Sequence, residues 1–142
     1  MPRVLGLDHG DKRIGAALSD PTEMLATPLG ILDAEKGGGI AEISCVCRDR
    51  DVKKIVVGLP LNMNGSAGPQ AEKVRDFVRQ LQAALPDIPV VTWDERLSSR
   101  EGERVLIEAG ASRKRRRQVL DKMAAQIMLQ SYLDAHGPTE TL

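Results

Sequence analysis

Aromatic residues are almost missing from this chain, which has one Trp, one Tyr and one Phe in 142 residues. Trp93, Phe77 and Tyr132 are too few for the stacking platforms on which single-strand binders lay successive bases, and core packing accounts for Phe77. Net charge is missing too. Twenty Lys and Arg balance twenty Asp and Glu, so the average charge argues neither for nor against an anionic partner, and its distribution has to be read instead. No apolar run approaches the roughly 20 residues that cross a bilayer, which excludes a membrane-spanning helix, and the first residues lack the basic, apolar and small-residue zones of a signal peptide. A cytoplasmic protein is expected. The two cysteines, Cys45 and Cys47, have no second Cys or His cluster with which to complete a zinc site. They read as buried or half-buried free thiols.

What is present suits one folded unit. A chain of this length buries roughly two thirds of the surface that its unfolded form exposes, so one domain is expected over residues 1–136, followed by a frayed tail over 137–142. Val4-Leu-Gly-Leu-Asp8 and Arg13-Ile-Gly-Ala-Ala-Leu-Ser19 are apolar runs joined by His9-Gly-Asp-Lys12, the pattern of a β-hairpin. A third strand is expected from Thr27 to Leu32. Ile40, Ile43 and Cys47 recur at helical spacing, and Lys54-Ile-Val-Val-Gly58 is a β-branched run that fits a central parallel strand.

Pro69 suits the first position of a helix that turns Val74, Phe77, Val78 and Leu81 to one face. Ile88 to Trp93 is a further strand, and Ser98 or Ser99 can cap a helix that contains Val105, Leu106 and Ala109 and ends at Gly110. Val119 to Leu133 is helical in pattern. The order βββαβαβαα implies an α/β fold with a mixed five-stranded sheet, an antiparallel meander plus parallel strands.

Four acids stand where a site could form, and each has a plainer use. Asp8 ends an apolar run and precedes a turn, a good place for a ligand; taken alone it reads better as a carboxylate capping the turn. Asp94 and Glu95 follow the strand Val90 to Trp93, at the edge where active sites of α/β sheets collect. Adjacent strand residues face opposite ways, so one of the two points with Asp8, and periodicity does not choose; the plainer use of either is a solvated rim charge paired with Arg96. Asp121 precedes Ala124, Ala125 and Met128 at helical spacing, which sets it on an inward stripe, or else it is a carboxylate favoured by the helix dipole. Carboxylates brought together repel, so such a cluster makes sense around a hard cation such as Mg²⁺ or Mn²⁺. His9 is a weaker additional ligand.

Four blocks of this sequence, LGLDHGDKRIGAALSD from Leu5, VVGLPLNMNGSAGPQAEKVRDF from Val56, VTWDERLSS from Val91 and DKMAAQIMLQSYL from Asp121, resemble the YqgF/RuvX family. That family comprises pre-16S rRNA nucleases, also described as Holliday-junction-resolvase-like proteins. The resemblance implies a ribonuclease H-like fold with helices on both faces of the sheet, and a divalent-metal-dependent nuclease. Its acidic positions fall on Asp8, Glu95 and Asp121, implied here as both catalytic residues and ligands of Mg²⁺ or Mn²⁺. It also implies a substrate, the 5′ end of pre-16S rRNA in ribosome biogenesis, with branched DNA as the alternative. A monomer or weak homodimer is expected, since only junction resolution favours a symmetric dimer.

Each acid has basic neighbours that can position phosphates: Lys12 and Arg13 after Asp8, Arg96 after Glu95, and Arg113, Lys114, Arg115, Arg116 and Arg117 before Asp121. The run from Arg113 to Arg117 is expected to be a mobile cationic loop, because like charges repel in a helix. The polar loop from Asn62 to Gly68 either offers backbone N–H groups to a phosphate or is a plain connection. Two other readings remain. One is a catalytically idle nucleic-acid-binding regulator of transcription. The other takes LDHGDKRIG as similar to the phosphate-binding hairpin of sugar kinases and actin, which close two such domains around a nucleotide.

Overall fold

A computed structural model describes residues 2–35, 37–97 and 107–136, with the side chains of 116–122 outside that description. Five strands, β1 (Arg3–His9), β2 (Arg13–Ser19), β3 (Ala26–Asp33), β4 (Val52–Leu59) and β5 (Val90–Asp94), make one sheet in the order β3-β2-β1-β4-β5. The first three pair as an antiparallel meander, and β4 and β5 add in parallel beside β1. The helices are α1 (Ile40–Asp49), α2 (Pro69–Ala84) and α3 (Arg113–His136).

Strand alternation divides the core in two. Leu5, Leu7, Ile14, Leu18, Ile55 and Val57 pack with Ile43 and Cys47 of α1 and with Val74, Phe77 and Leu81 of α2. Val4, Ala17, Ala26 and Val56 pack on the other side with Ala125, Met128, Leu129, Tyr132 and Leu133 of α3. Each large aliphatic side chain so buried stabilises the fold by roughly 1.5–3 kcal/mol, and the second half of β4, from Ile55 to Leu59, is covered on both faces and reads accordingly as an apolar run. The α3 side of the sheet is kept low by small residues. A Cβ at Gly6 would stand 2.8 Å from Leu129 Cβ, and one at Gly15 would stand 3.4 Å from Ala125 Cβ. Only glycine at position 6 admits the helix at this distance.

Pro69 opens α2 as its sequence predicts. Gly110 takes a positive φ of 80°, and its N–H bonds to the Ile107 carbonyl at 2.9 Å, the geometry of a helix end. Residues 95–97 already take helical backbone, ahead of the start expected at Ser98 or Ser99, and 107–108 are helical as well; residues 98–106 between them, and the tail over 137–142, lie outside the described residues.

The basic run departs from expectation: Arg113 to Arg117 is no loop but the opening of α3. Ser112 accepts the Arg115 N–H at 3.2 Å, a capping bond that starts the helix. Arg113, Lys114 and Arg115 are exposed, so water screens their repulsion while Arg and Lys, good helix formers, favour the backbone geometry. Cys45 also departs from expectation. It is exposed while Cys47 is buried, because two helical residues are separated by roughly half a turn; burial pushes the Cys47 thiol up to about 11. Among the described residues no helix is long and apolar enough to cross a membrane.

Candidate active site

The site begins with Asp8, one residue before the end of β1. It follows Val4 and Gly6 at two-residue spacing and so shares their side of the sheet, the side covered by α3. Its partner across the hairpin is Gly15, and a Cβ there would lie 3.8 Å from Asp8 Cβ and 3.4 Å from Ala125 Cβ. Asp8 thus sits beside the point where α3 comes closest to β2.

Glu95 arrives from the other end of the sheet. Val91 and Trp93 pack with the α3 core, so alternation carries Asp94 to the opposite side, while Glu95, just past the strand, turns to the α3 side over β4. Between the two acids lies Gly58 of β4. A Cβ at Gly58 would stand 2.9 Å from Glu95 Cγ and would overlap the carboxylate itself. Lying across this bare stretch of backbone, Glu95 reaches Asp8 and shares a hydrogen bond with it. Gly58 is a functional residue that the sequence reading passed over; the available signal was a glycine inside a β-branched run, which marks a close approach.

Burial first, then the hydrogen bond that protonated Glu95 donates to Asp8 and the negative charges of Asp8 and Asp94, push Glu95 up to about 8. An acid raised in the folded state keeps its proton where the unfolded chain has lost it, so the unfolded chain binds fewer protons and stability falls with rising pH. The cation-free protein should therefore lose stability as pH rises from about 4.5 to about 8 and level off above that range. Glu95→Gln should flatten the profile, as read by urea unfolding at several pH values. An unchanged slope in the variant would reject the carboxylate pair.

Asp94 takes a different partner. Its carboxylate accepts Arg96 Nε at 3.0 Å and Nη2 at 2.6 Å, and this bonding raises the guanidinium's own pKa. Arg96 Nη1 donates to the carbonyls of Met63 at 3.1 Å and Asn62 at 3.4 Å. The guanidinium expected on phosphate is thus engaged inside the protein. The Asn62–Gly68 loop is likewise self-bonded: Asn62 N–H donates to the Ser66 carbonyl at 2.9 Å, Gly65 N–H to the Asn62 carbonyl at 2.8 Å, and Ser66 N–H to Asn64 Oδ1 at 3.0 Å.

His9 lies on the α1 and α2 side, its ring 4.4 Å from that of Phe77, where burial lowers its pKa. It is not gathered with the acid pair. Asp121 lies in α3 one turn before Ala125, and its side chain is outside the described residues. Among the described residues no group of three potential metal-ligating side chains forms; the structure brings together Asp8 and Glu95.

A groove of about 360 Å³ runs from Asp8 across Gly15 and Gly30, between Arg13, Pro28 and Ile31 on one side and Ala124, Ala125 and Gln126 on the other. Its floor of glycine and alanine allows a strand of substrate to approach the backbone. Arg13 lines it and is exposed, as are Lys12 and, at the start of α3, Arg113, Lys114 and Arg115. The side chains of Arg116 and Arg117 lie outside the described residues.

A mixed sheet in the order β3-β2-β1-β4-β5 with helices on both faces is the architecture of the ribonuclease H-like fold class. The Thermus thermophilus RuvC structure, solved in complex with Holliday junction substrate, matches with a TM-score of 0.62 over 98% of this chain and 99% of that one at 15% identity. The fowlpox virus Holliday junction resolvase matches with a TM-score of 0.53 over 94% and 99% at 14% identity.

Within that class the chain belongs to the RuvX family, described as Holliday junction resolvase, whose model matches residues 2–135. A relative from Pelotomaculum thermopropionicum is 54% identical, covering 95% of this chain and 88% of its own. One from Syntrophomonas wolfei is 52% identical, covering 93% and 94%. Both carry the name "Putative pre-16S rRNA nuclease".

Proposed function

We propose that this protein is a divalent-cation-dependent nuclease that cleaves pre-16S rRNA in maturing its 5′ end, through Asp8, Glu95 and Asp121. The observation that carries the reading is the contact of Asp8 with Glu95 across Gly58. Two carboxylates this close repel unless a proton or a cation is shared between them, and an all-oxygen donor pair suits Mg²⁺ or Mn²⁺. The family resemblance adds Asp121 to the donor set, and its backbone position in α3, one turn before Ala125, supports that. The ion, when bound, activates water and stabilises the charge that grows on the leaving oxygen.

The chain's own residues supply the geometry. Gly58 and Gly15 leave room for the acids, and the small-residue floor of the groove admits the sugar-phosphate backbone. Lys12, Arg13 and the cationic start of α3 hold phosphates on either side. The substrate is the one named for the relatives, and it implies a cytoplasmic enzyme.

Branched DNA is the second reading, favoured by the family's description. The test is to incubate the protein with a 16S precursor fragment and with a four-way DNA junction, with and without Mn²⁺. Cation-dependent cutting of the RNA fragment is expected; cutting of the junction alone would transfer the activity to DNA, and cutting of neither would end the nuclease reading. Replacing Arg113, Lys114 and Arg115 by Ser should weaken RNA binding and lower the slope of log K against log salt by about two to three, roughly one for each phosphate no longer neutralised. An unchanged slope in filter binding would remove the start of α3 from the interface.

A further inference from the structure

We propose that Arg96 is the positioning residue of this site: it latches the loop after β4 to the Asp94 carboxylate and so holds Glu95 against Asp8. The inference rests on the nuclease reading above for its kinetic consequence, and on the described contacts for its geometry.

β5 is the edge strand of the sheet, and its pairing with β4 ends at the register Leu59 to Asp94. Glu95 therefore lies one residue past the last rung, where the chain passes from strand to helical turn. Arg96 fixes that passage. Its own N–H donates to Asp94 Oδ1 at 3.0 Å, the bond by which Asp94 caps the turn that Glu95 opens. Its side chain then places Nε on Asp94 Oδ1 at 3.1 Å and Nη2 on Oδ2 at 2.6 Å. This is the fork geometry in which guanidinium holds a carboxylate by two parallel bonds.

The remaining arm, Nη1, takes the carbonyls of Asn62 and Met63, which follow β4 by a few residues. The contacts close a ring: β4 leads into the loop, the loop is tied to Arg96, Arg96 is fixed to Asp94, and Glu95 between them returns over Gly58 of β4. The Arg96 and Asp94 side chains are only 28% and 22% exposed, so this pair is less screened than an ordinary surface ion pair. A guanidinium engaged in this way acts on substrate through Glu95 and not by touching a phosphate.

Arg96→Gln, Asp94→Asn and the double variant test the latch. Asp94→Asn is close to isosteric and serves if Arg96→Gln fails to fold. With the precursor RNA fragment and Mn²⁺, each single variant should lower kcat on the order of 100-fold, the effect of a small misplacement of a reacting group. KM and the salt dependence of binding should stay unchanged, and the double variant should be no worse than either single one, since both break one unit. Arg96→Lys keeps the charge without the fork and should remain impaired.

Amide hydrogen exchange supplies a readout independent of activity: Asn62 and Gly65 should exchange faster in Arg96→Gln. A rise in KM with kcat intact and a salt slope reduced by about one would instead make Arg96 a phosphate contact. Full activity in Arg96→Lys, or unchanged exchange at Asn62 and Gly65, would also overturn the latch. If the parent protein cuts nothing, the nuclease reading falls on its own, and the exchange result alone decides whether Arg96 holds the loop.

Discussion

Asp8→Asn should remove cation-dependent cleavage by about a thousandfold, a loss of roughly 4 kcal/mol in transition-state stabilisation, while leaving RNA binding nearly intact. The substitution is isosteric, so the side chain still fits beside Gly15 and Ala125, and β1 keeps its place between β2 and β4. What changes is the charge. A neutral amide is a poor ligand for a hard cation, and Glu95 loses the carboxylate whose hydrogen bond and charge help to raise its pKa. Without metal and above about pH 8, where Glu95 loses its proton, the variant should thus fold at least as stably as the parent, because a repulsion has been relieved. Single-turnover cleavage in Mn²⁺ beside filter binding on the same RNA separates chemistry from affinity. If Asp8→Asn cuts at the parental rate, the acid pair is a structural feature and the nuclease site lies elsewhere.

Gly58→Ala should be nearly as damaging by a different route. The added methyl group would occupy the space now filled by the Glu95 carboxylate and would press against its Cγ at 2.9 Å. Glu95 has to swing away and no longer meets Asp8. The backbone is not at issue, since Gly58 is not among the positive-φ glycines, and Gly to Ala at such a position tends to stabilise a fold by about 0.4–1 kcal/mol. Cleavage should fall on the order of 100-fold with circular dichroism unchanged and thermal stability equal or slightly higher. Normal cleavage by Gly58→Ala would show that Glu95 does not work from this position. Loss of fold would show that β4 tolerates no side chain there.

These two residues also mark how far the sequence can be read. The hairpin, the buried β4 run and the Pro69 start of α2 are local: alternation, β-branching and a ring-locked φ each act within a few residues of chain. The choice between Asp94 and Glu95 is not local. Their opposite orientations are visible in the sequence, but which of the two faces Asp8 depends on the side to which Val91 and Trp93 turn, and that is set by α3 arriving from about thirty residues further on. Resemblance to relatives selects Glu95; the packing of Trp93 shows why Asp94 faces away, while Glu95, just past the strand, turns over β4 to Asp8.

Arg96 and the basic run went differently because both were read from charge alone. A cation beside an acid in sequence suggests a phosphate contact, whereas in the fold the Arg96 fork meets Asp94 and two loop carbonyls first. The cluster from Arg113 was expected to repel itself out of helical structure. The side chains of Arg113, Lys114 and Arg115 project into water, where repulsion is screened, and Ser112 caps the turn, so propensity prevails over charge.

By itself, then, the amino-acid sequence determined the strand and helix periods, the order of elements and hence a mixed five-stranded sheet, because those follow from short-range backbone preference and from the repeat of apolar residues. Only the tertiary structure decided that Glu95 crosses Gly58 to meet Asp8, that His9 turns to the opposite face and that Arg96 is engaged within the protein. The physical reason is that side-chain meetings depend on which faces are covered and how closely. That closeness is governed by the small residues Gly6, Gly15 and Gly58, which matter through the atoms they lack.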